Sequence, residues 1–139
     1  MNTFYLEILS PDRIFYRGEC QSIVIPISDG MLGIMANHSP LTAAIPQGEL
    51  TFTKPSGEKV ICAIDNGMAD VTDNRVRVLC ESVVTPDEID MEKERKEAEH
   101  AERLLKNRQS QNDYKYWKMS LNKAVNRLKI KQKEKNINI

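Results

Sequence analysis

Several things are missing from this chain, and each omission narrows what it can do. No apolar run approaches the ~18 residues of a membrane-spanning helix, so any membrane association is expected to go through a partner. The opening Met1-Asn2-Thr3-Phe4-Tyr5-Leu6-Glu7 has no basic stretch leading into an apolar one, so no secretory leader is expected. His38 and His100 are the only two histidines, and they fall in different parts of the chain. No Ser or Cys has a base beside it in sequence, so no arrangement for nucleophilic catalysis emerges. A Gly-rich loop ending in Lys and Ser/Thr, the usual phosphate cradle, is absent. The three cysteines, Cys20, Cys62 and Cys80, are odd in number and far apart. A zinc site asks for close Cys or His pairs. The expectation is three small buried hydrophobes in a reducing compartment.

What is present bounds the fold. The chain has 139 residues, 40% apolar and 29% charged, which suits one ordinary globular domain or two small ones. The formal net charge of zero hides a gradient. Residues 1–102 carry 9 Lys+Arg against 18 Asp+Glu, a net of −9, and residues 103–139 carry 11 against 2, a net of +9. Such asymmetry points to a basic tail with an acidic partner.

Residues 1–85 read as β. Over residues 3–9, Phe4, Leu6 and Ile8 alternate with Tyr5 and Glu7, and Ser10-Pro11-Asp12 then signals a turn. Residues 20–27 are rich in β-branched side chains. Residues 48–53 alternate, and Lys54-Pro55-Ser56-Gly57 closes a hairpin. Residues 60–64 are expected to pair with 68–71 across a turn at Asp65-Asn66-Gly67, and Thr72-Asp73-Asn74 turns again into residues 75–80. The expected fold class is α+β: an N-terminal β-sandwich of about ten short strands over residues 1–85, then a C-terminal antiparallel two-helix hairpin over residues 86–139. The run from Asp29 to Ala43, with Gly30, Gly33 and His38 among apolar residues, reads as a long binding loop between two strands.

At Thr85 the pattern changes. Thr85-Pro86-Asp87-Glu88 reads as a helix start, with Thr as N-cap, Pro at the first helical position and a capping-box Glu. The first helix should run to about Arg108, with Ile89, Ala98, Ala101, Leu104 and Leu105 as a thin apolar stripe on a highly charged surface. A polar connector spans residues 109–113. The second helix, to about Lys133, carries Tyr114, Trp117, Leu121, Ala124, Val125 and Leu128 at spacings of three and four. Two helices burying so little are marginal alone. The hairpin is therefore expected to dock and to be able to undock, across a gap of a few kcal/mol.

Several stretches, taken in order, resemble the epsilon subunit of F-type ATP synthases. Phe4-x-Leu6-Glu7-Ile8-Leu9-Ser10-Pro11-Asp12-Arg13 is similar to its opening, and Phe15-Tyr16-x-Gly18-Glu19 to its F-Y-x-G-E. Asp29-Gly30-Met31-Leu32-Gly33 through His38-Ser39-Pro40-Leu41 resembles its D-G-E-L-G-V-L-P-G-H-A-P-L. Ile45-Pro46-Gln47-Gly48, Arg75-Val76-Arg77-Val78-Leu79, Glu88-Ile89-Asp90 and Ala124-x-x-Arg127-Leu128-Lys129 follow. Order and spacing over ~130 residues carry the resemblance more than any single motif.

The resemblance implies a non-catalytic subunit of the rotating central stalk of a proton- or sodium-translocating synthase. The sandwich would bind the gamma subunit and meet the ring of c subunits. The helices would rest on the sandwich or extend into the alpha/beta catalytic hexamer and suppress ATP hydrolysis. It also implies a peripheral place on the cytoplasmic side of the cell inner membrane. Ser10 and His38 carry over as gamma-binding residues, although a lone His is also often a satisfied structural residue. Gly30, Met31, Leu32 and Gly33 carry over as the c-ring-facing loop, with Met31 where the family usually has Glu; the glycines could equally just shape a turn.

Some members of that family bind regulatory ATP through I-D-x-x-R-A and a later Arg, and no other cofactor is implied. Ile89, Asp90, Lys93 and Arg127 occupy these places, but Lys93 lacks the planar fork of Arg. A further basic position is taken by His100 and an upstream acidic one by Val84. Asp90 could instead only favour the helix N-terminus electrostatically. On the second helix Lys115, Lys118, Lys123 and Arg127 carry over as contacts to the catalytic subunits, or form a solvated face. Tyr114 and Trp117 read as core or docking residues rather than base-stacking ones. The rival reading is a nucleic-acid-binding module using the basic helices, which predicts steep salt dependence and leaves the Gly30 to His38 run unexplained. A small enzyme using Asp90, His38 or a cysteine would need a pocket with convergent polar groups that nothing here suggests.

Overall fold

The computed structural model describes residues 2–107 and 111–137. Arg108, the expected end of the first helix, residues 109–110 of the expected connector and the side chain of Lys135 on the basic second helix lie outside the described residues. The strands are β1 (Phe4–Ser10), β2 (Arg13–Cys20), β3 (Ser22–Ile27), β4 (Gly30–Met35), β5 (Leu41–Ile45), β6 (Gly48–Thr53), β7 (Lys59–Thr72) and β8 (Arg75–Val84). A 3₁₀ turn at Pro86–Glu88 leads to helices α1 (Met91–Lys106) and α2 (Gln111–Ile137). The chain divides into two compact units, Met1–Thr85 and Pro86–Ile139.

In the first unit the strands run in the order β2-β1-β8-β7-β6-β3-β4, with β5 also pairing β7. Neighbours are antiparallel except β1 and β8, which are parallel. One continuous sheet becomes a sandwich because β7 and β8 bend together. On β7 the core-cluster positions are Cys62 and Ile64 before the bend and Ala69 and Val71 after it, a switch from even to odd, with the small Ala63 buried outside that cluster. On β8 they switch from Val76, Val78 and Cys80 to Val83. Their mutual register never slips, from Ala63↔Val84 to Thr72↔Arg75. This is a sandwich corner made by strands that pass from one layer to the other.

Gly67 makes the bend possible. A Cβ there would stand 2.2 Å from the Leu79 carbonyl oxygen and 2.9 Å from Cys80 Cα. Asp65, also at the bend and 7% exposed, accepts from Gln47 Nε2 at 2.7 Å and from the Asn66 N–H at 3.1 Å. Phe4, Leu6 and Ile8 of β1 meet Ile23, Ile25, Leu50, Phe52, Ile64 and Val78 between the layers, all nearly inaccessible. At ~25 cal/mol per Å² of apolar surface removed from water, these side chains are the main favourable term for the unit.

The architecture is the expected sandwich followed by two helices, with four local differences. There are eight described strands rather than about ten. Asp65-Asn66-Gly67 is not a turn but the middle of the fourteen-residue β7. Most of the supposed loop from Asp29 to Ala43 is strand. β4 pairs with β3 from Ile27↔Gly30 to Ser22↔Met35, leaving residues 36–40 as the connection to β5. Finally, α1 does not start at Thr85: Asp90 is the N-cap, and its carboxylate accepts from the Glu92 and Lys93 N–H groups at 3.0 and 3.3 Å. Two backbone donors satisfied by one carboxylate outweigh the Thr-Pro signal.

In the second unit the helices are antiparallel, since Glu94 meets Arg127 and His100 meets Trp117. The buried stripe is narrower than expected. Ile89, Glu94, Ala101, Ala124 and Ile130 are buried, whereas Tyr114 and Val125 are 40% and 41% exposed.

Candidate functional site

Two surfaces of the first unit stand out, and the first of them holds residues singled out in the sequence. One is a shallow apolar depression of about 750 Å³ lined by Ile27, Leu32, His38, Leu41, Ile45 and Gly67, among others. His38 is half-buried, and its Nδ1 lies 2.7 Å from the Ser39 carbonyl oxygen. Gly30, Met31, Leu32 and Gly33 form the first part of β4. This strand is the edge of the sheet and follows a two-residue turn at Ser28 and Asp29. Strand alternation turns Leu32 toward the His38 depression and leaves Met31 and Met35 outside, 53% and 67% exposed. The structure thus brings His38 and Leu32 to one depression, while Gly30, Met31 and Gly33 do not line it. Ser10 is elsewhere, at the end of β1, where its hydroxyl donates to Asp12 Oδ1 at 2.6 Å.

The second surface is the outer face of β2, β1, β8, β7 and β5, and the sequence reading missed it. Cross-strand register places Ile14, Leu9, Leu79, Met68 and Ala44 in one row. Ile14, Leu79 and Met68 are 55%, 50% and 53% exposed. The parallel row beside it is Arg17, Glu7, Arg77, Asp70 and Thr42. Glu7 sits between two cations, 3.1 Å from Arg17 and 3.6 Å from Arg77. A row of exposed apolar side chains five strands wide, ending beside Ser10, is what a docking face needs and a free sandwich does not. One signal was legible: Leu79 interrupts the outward series Arg75, Arg77, Glu81.

The cysteines take no part in either surface. Cys20, Cys62 and Cys80 are all buried free thiols. Burial, and then the negative charges of Asp65 and Asp12, push the Cys80 thiol up to about 11. Such a group stays protonated and inert at neutral pH.

In the second unit Ile89 is buried, Asp90 and Lys93 lie at the start of α1, and Arg127 projects from α2. The Asp90 carboxylate caps α1. Arg127 Nη1 is held by Glu94 Oε1 at 3.2 Å, with side-chain exposures of only 16% and 3%. The shallow groove that contains Asp90 and Lys93 is completed by Glu92, Lys96, Glu97 and His100, three acids against two lysines. Lys131 Nζ donates to the Pro86 carbonyl at 2.9 Å and lies 3.6 Å from Glu134. Of the lysines assigned to a partner, Lys115 and Lys118 are exposed and Lys123 is half-buried. The His100 and Trp117 rings meet edge to face at 5.4 Å, so Trp117 packs within the hairpin.

Comparison with known proteins decides among the readings. The beta-sandwich domain of the ATP synthase delta/epsilon chain matches residues 3–86. The chain belongs to the ATP synthase delta/epsilon chain family. The long alpha-helix domain of the same family matches residues 87–132. The ATP synthase epsilon chain of Syntrophomonas wolfei is 39% identical over 95% of this chain and 96% of its own length. That of Caldicellulosiruptor bescii is 35% identical over 97% and 98%. Among solved structures, a chain of the Euglena gracilis mitochondrial ATP synthase, in an assembly with the c-ring, has the same fold. Its TM-score is 0.75 at 22% identity, covering 88% of this chain and 77% of that one. Membership of this family makes the chain a non-catalytic, peripheral part of a membrane complex. No described helix is long and apolar enough to cross a membrane. The nucleic-acid reading gains no support from any of these relatives.

Proposed function

We propose that this chain is the epsilon-type subunit of the central stalk, coupling rotation of the c-ring to ATP synthesis and restraining ATP hydrolysis through residues 86–139. The observation that carries this reading is the end-to-end match to relatives named ATP synthase epsilon chain, with both domains in order. The sandwich does the coupling. Its outer apolar row beside Ser10, and the depression at His38, supply surfaces for the gamma subunit. The β4 edge with Gly30, Met31, Leu32 and Gly33 faces the c-ring. Met31 gives that contact an apolar, adaptable character. The complex holds the chain at the cytoplasmic side of the cell inner membrane.

The hairpin is the brake. Its exposed lysines, Lys115 and Lys118 with Lys123 beside them, steer it toward acidic segments of the alpha/beta hexamer, an encounter that salt weakens. The test is co-purification of the tagged chain with the gamma subunit and the catalytic hexamer, followed by ATPase assay with and without residues 86–139. A stable complex with higher hydrolysis after truncation is the expected result. A stable complex with unchanged hydrolysis removes the brake and leaves the coupling role. Failure to bind gamma removes both.

A further inference from the structure

The hairpin hides a carboxylate where a chain of this composition has no need of one. Glu94 is 2% exposed on α1, a helix whose other acids, Glu92, Glu97, Glu99 and Glu102, are all in solvent. Its Oε1 accepts from Arg127 Nη1 of α2 at 3.2 Å, while its Oε2 is buried with no hydrogen-bond partner. A half-satisfied buried carboxylate is a poor source of stability, because desolvation offsets much of the ion-pair attraction. It is nevertheless an effective occupant. The guanidinium fork binds carboxylate or phosphate oxygens, and a fork already paired in a buried site is closed to a second anion. Glu94 also stands where the I-D-x-x-R-A pattern has Ala, a position with no charge of its own.

We infer that Glu94 is the built-in anion of the hairpin: it takes from within the place at Arg127 that a phosphate-bearing ligand would occupy, so closure answers to an internal ion pair and not to a nucleotide. The inference rests on reading residues 86–139 as a regulatory hairpin. It adds that the closed state is self-liganded. The Asp90 carboxylate, taken up by the first-turn amides of α1, likewise offers no cation to a triphosphate. Because the pair is costly to bury, it fixes which residues face each other while leaving the closed state easy to open.

The test uses the isolated full-length chain, so failure of coupling in the synthase leaves it untouched. MgATP and tripolyphosphate are titrated calorimetrically into wild type, Glu94→Ala, and the charge swap E94R/R127E. Amide exchange over residues 91–106 reports closure. Wild type is expected to be protected without ligand and to bind neither probe. Glu94→Ala should lose protection, gain roughly tenfold or more in affinity for both probes as a unit negative charge leaves Arg127, and regain protection when either is added. The swap should be protected like wild type and bind neither. Wild-type binding of MgATP with a gain in protection overturns the inference. So does a swap as unprotected as Glu94→Ala, which also covers the case in which Glu94→Ala merely unfolds the hairpin.

Discussion

Leu6 and Glu94 are about equally hidden, at 0% and 2% exposure, yet they belong to opposite kinds of interior. Around Leu6 lie isoleucines, valines and two phenylalanines brought together by strands far apart in sequence. The buried neighbours available to the hairpin are Ile89, Ala101, Ala124 and Ile130, and the helices meet through an ion pair and an edge-to-face ring contact. The first interior gains from each methylene removed from water. The second gains little from area and depends on charges that water would accept readily. Under the proposed function, the unit that would transmit torque is packed to resist deformation, and the unit that would change state is held by interactions of small net worth.

Substitutions that act in one interior only can break or sharpen this contrast. Phe52→Ala should have the largest effect, about 3–5 kcal/mol lost in urea unfolding of the sandwich, because Phe52 is 2% exposed and Tyr16 packs edge-on to it at 4.6 Å. A loss below ~1 kcal/mol would mean that the sandwich interior is as slack as the hairpin. Gly67→Ala comes next, on the order of 2–3 kcal/mol by the same assay, since the added methyl meets backbone that cannot rotate away. Ala101→Leu forces a larger side chain into the hairpin seam, where Ala101 is 0% exposed. It should cost about 1–2 kcal/mol, visible as lost amide protection over residues 91–137 with the strands unchanged. Spread of that loss into β1 or β8 would show that the two interiors are one cooperative system. Asp90→Ala should remove about 1 kcal/mol from the first turn of α1, read as faster exchange of the Glu92 and Lys93 amides, with Asp90→Asn largely retaining protection.

One further effect is confined to high pH. The folded-state pKa of Cys80 lies at about 11, against 9.0 for a free thiol. Between those values the unfolded chain has lost a proton that the folded chain keeps, so the contribution is complete below pH 9 and falls away as pH rises through 11. Cys80→Ala should flatten that decline in thermal scans. An unchanged slope would assign the decline to other groups.

How much of this was legible depends on how local each signal was. The β6–β7 turn at Lys54 to Glu58, the alternation of β1 and the charge reversal after residue 102 all lie within a few residues of what they determine. β2 was not read as a strand because a bulge breaks its period: Ile8 pairs with Tyr16 but Leu9 with Ile14, so Phe15 is the extra residue. Asp65-Asn66-Gly67 looked like a turn because its glycine is needed, but for close approach to Leu79 and Cys80 rather than for reversal. The apolar row from Ile14 to Ala44 is a product of register among five strands. Glu94 was invisible as a buried group because its neighbour lies 33 residues away.

The parallel pairing of β1 with β8 also orders events in time. β1 can zip to β2 as soon as both are synthesised, but its other neighbour is the final strand of the sheet, and Tyr5 meets Arg75 only after seventy further residues have been made. Contacts so distant along the chain close slowly, so one edge of β1 waits unpaired through the interval. Translation then adds the helices last. A chain cut after Thr85 keeps every strand pair of the sheet, whereas one that lacks residues 1–10 loses a partner of its last strand.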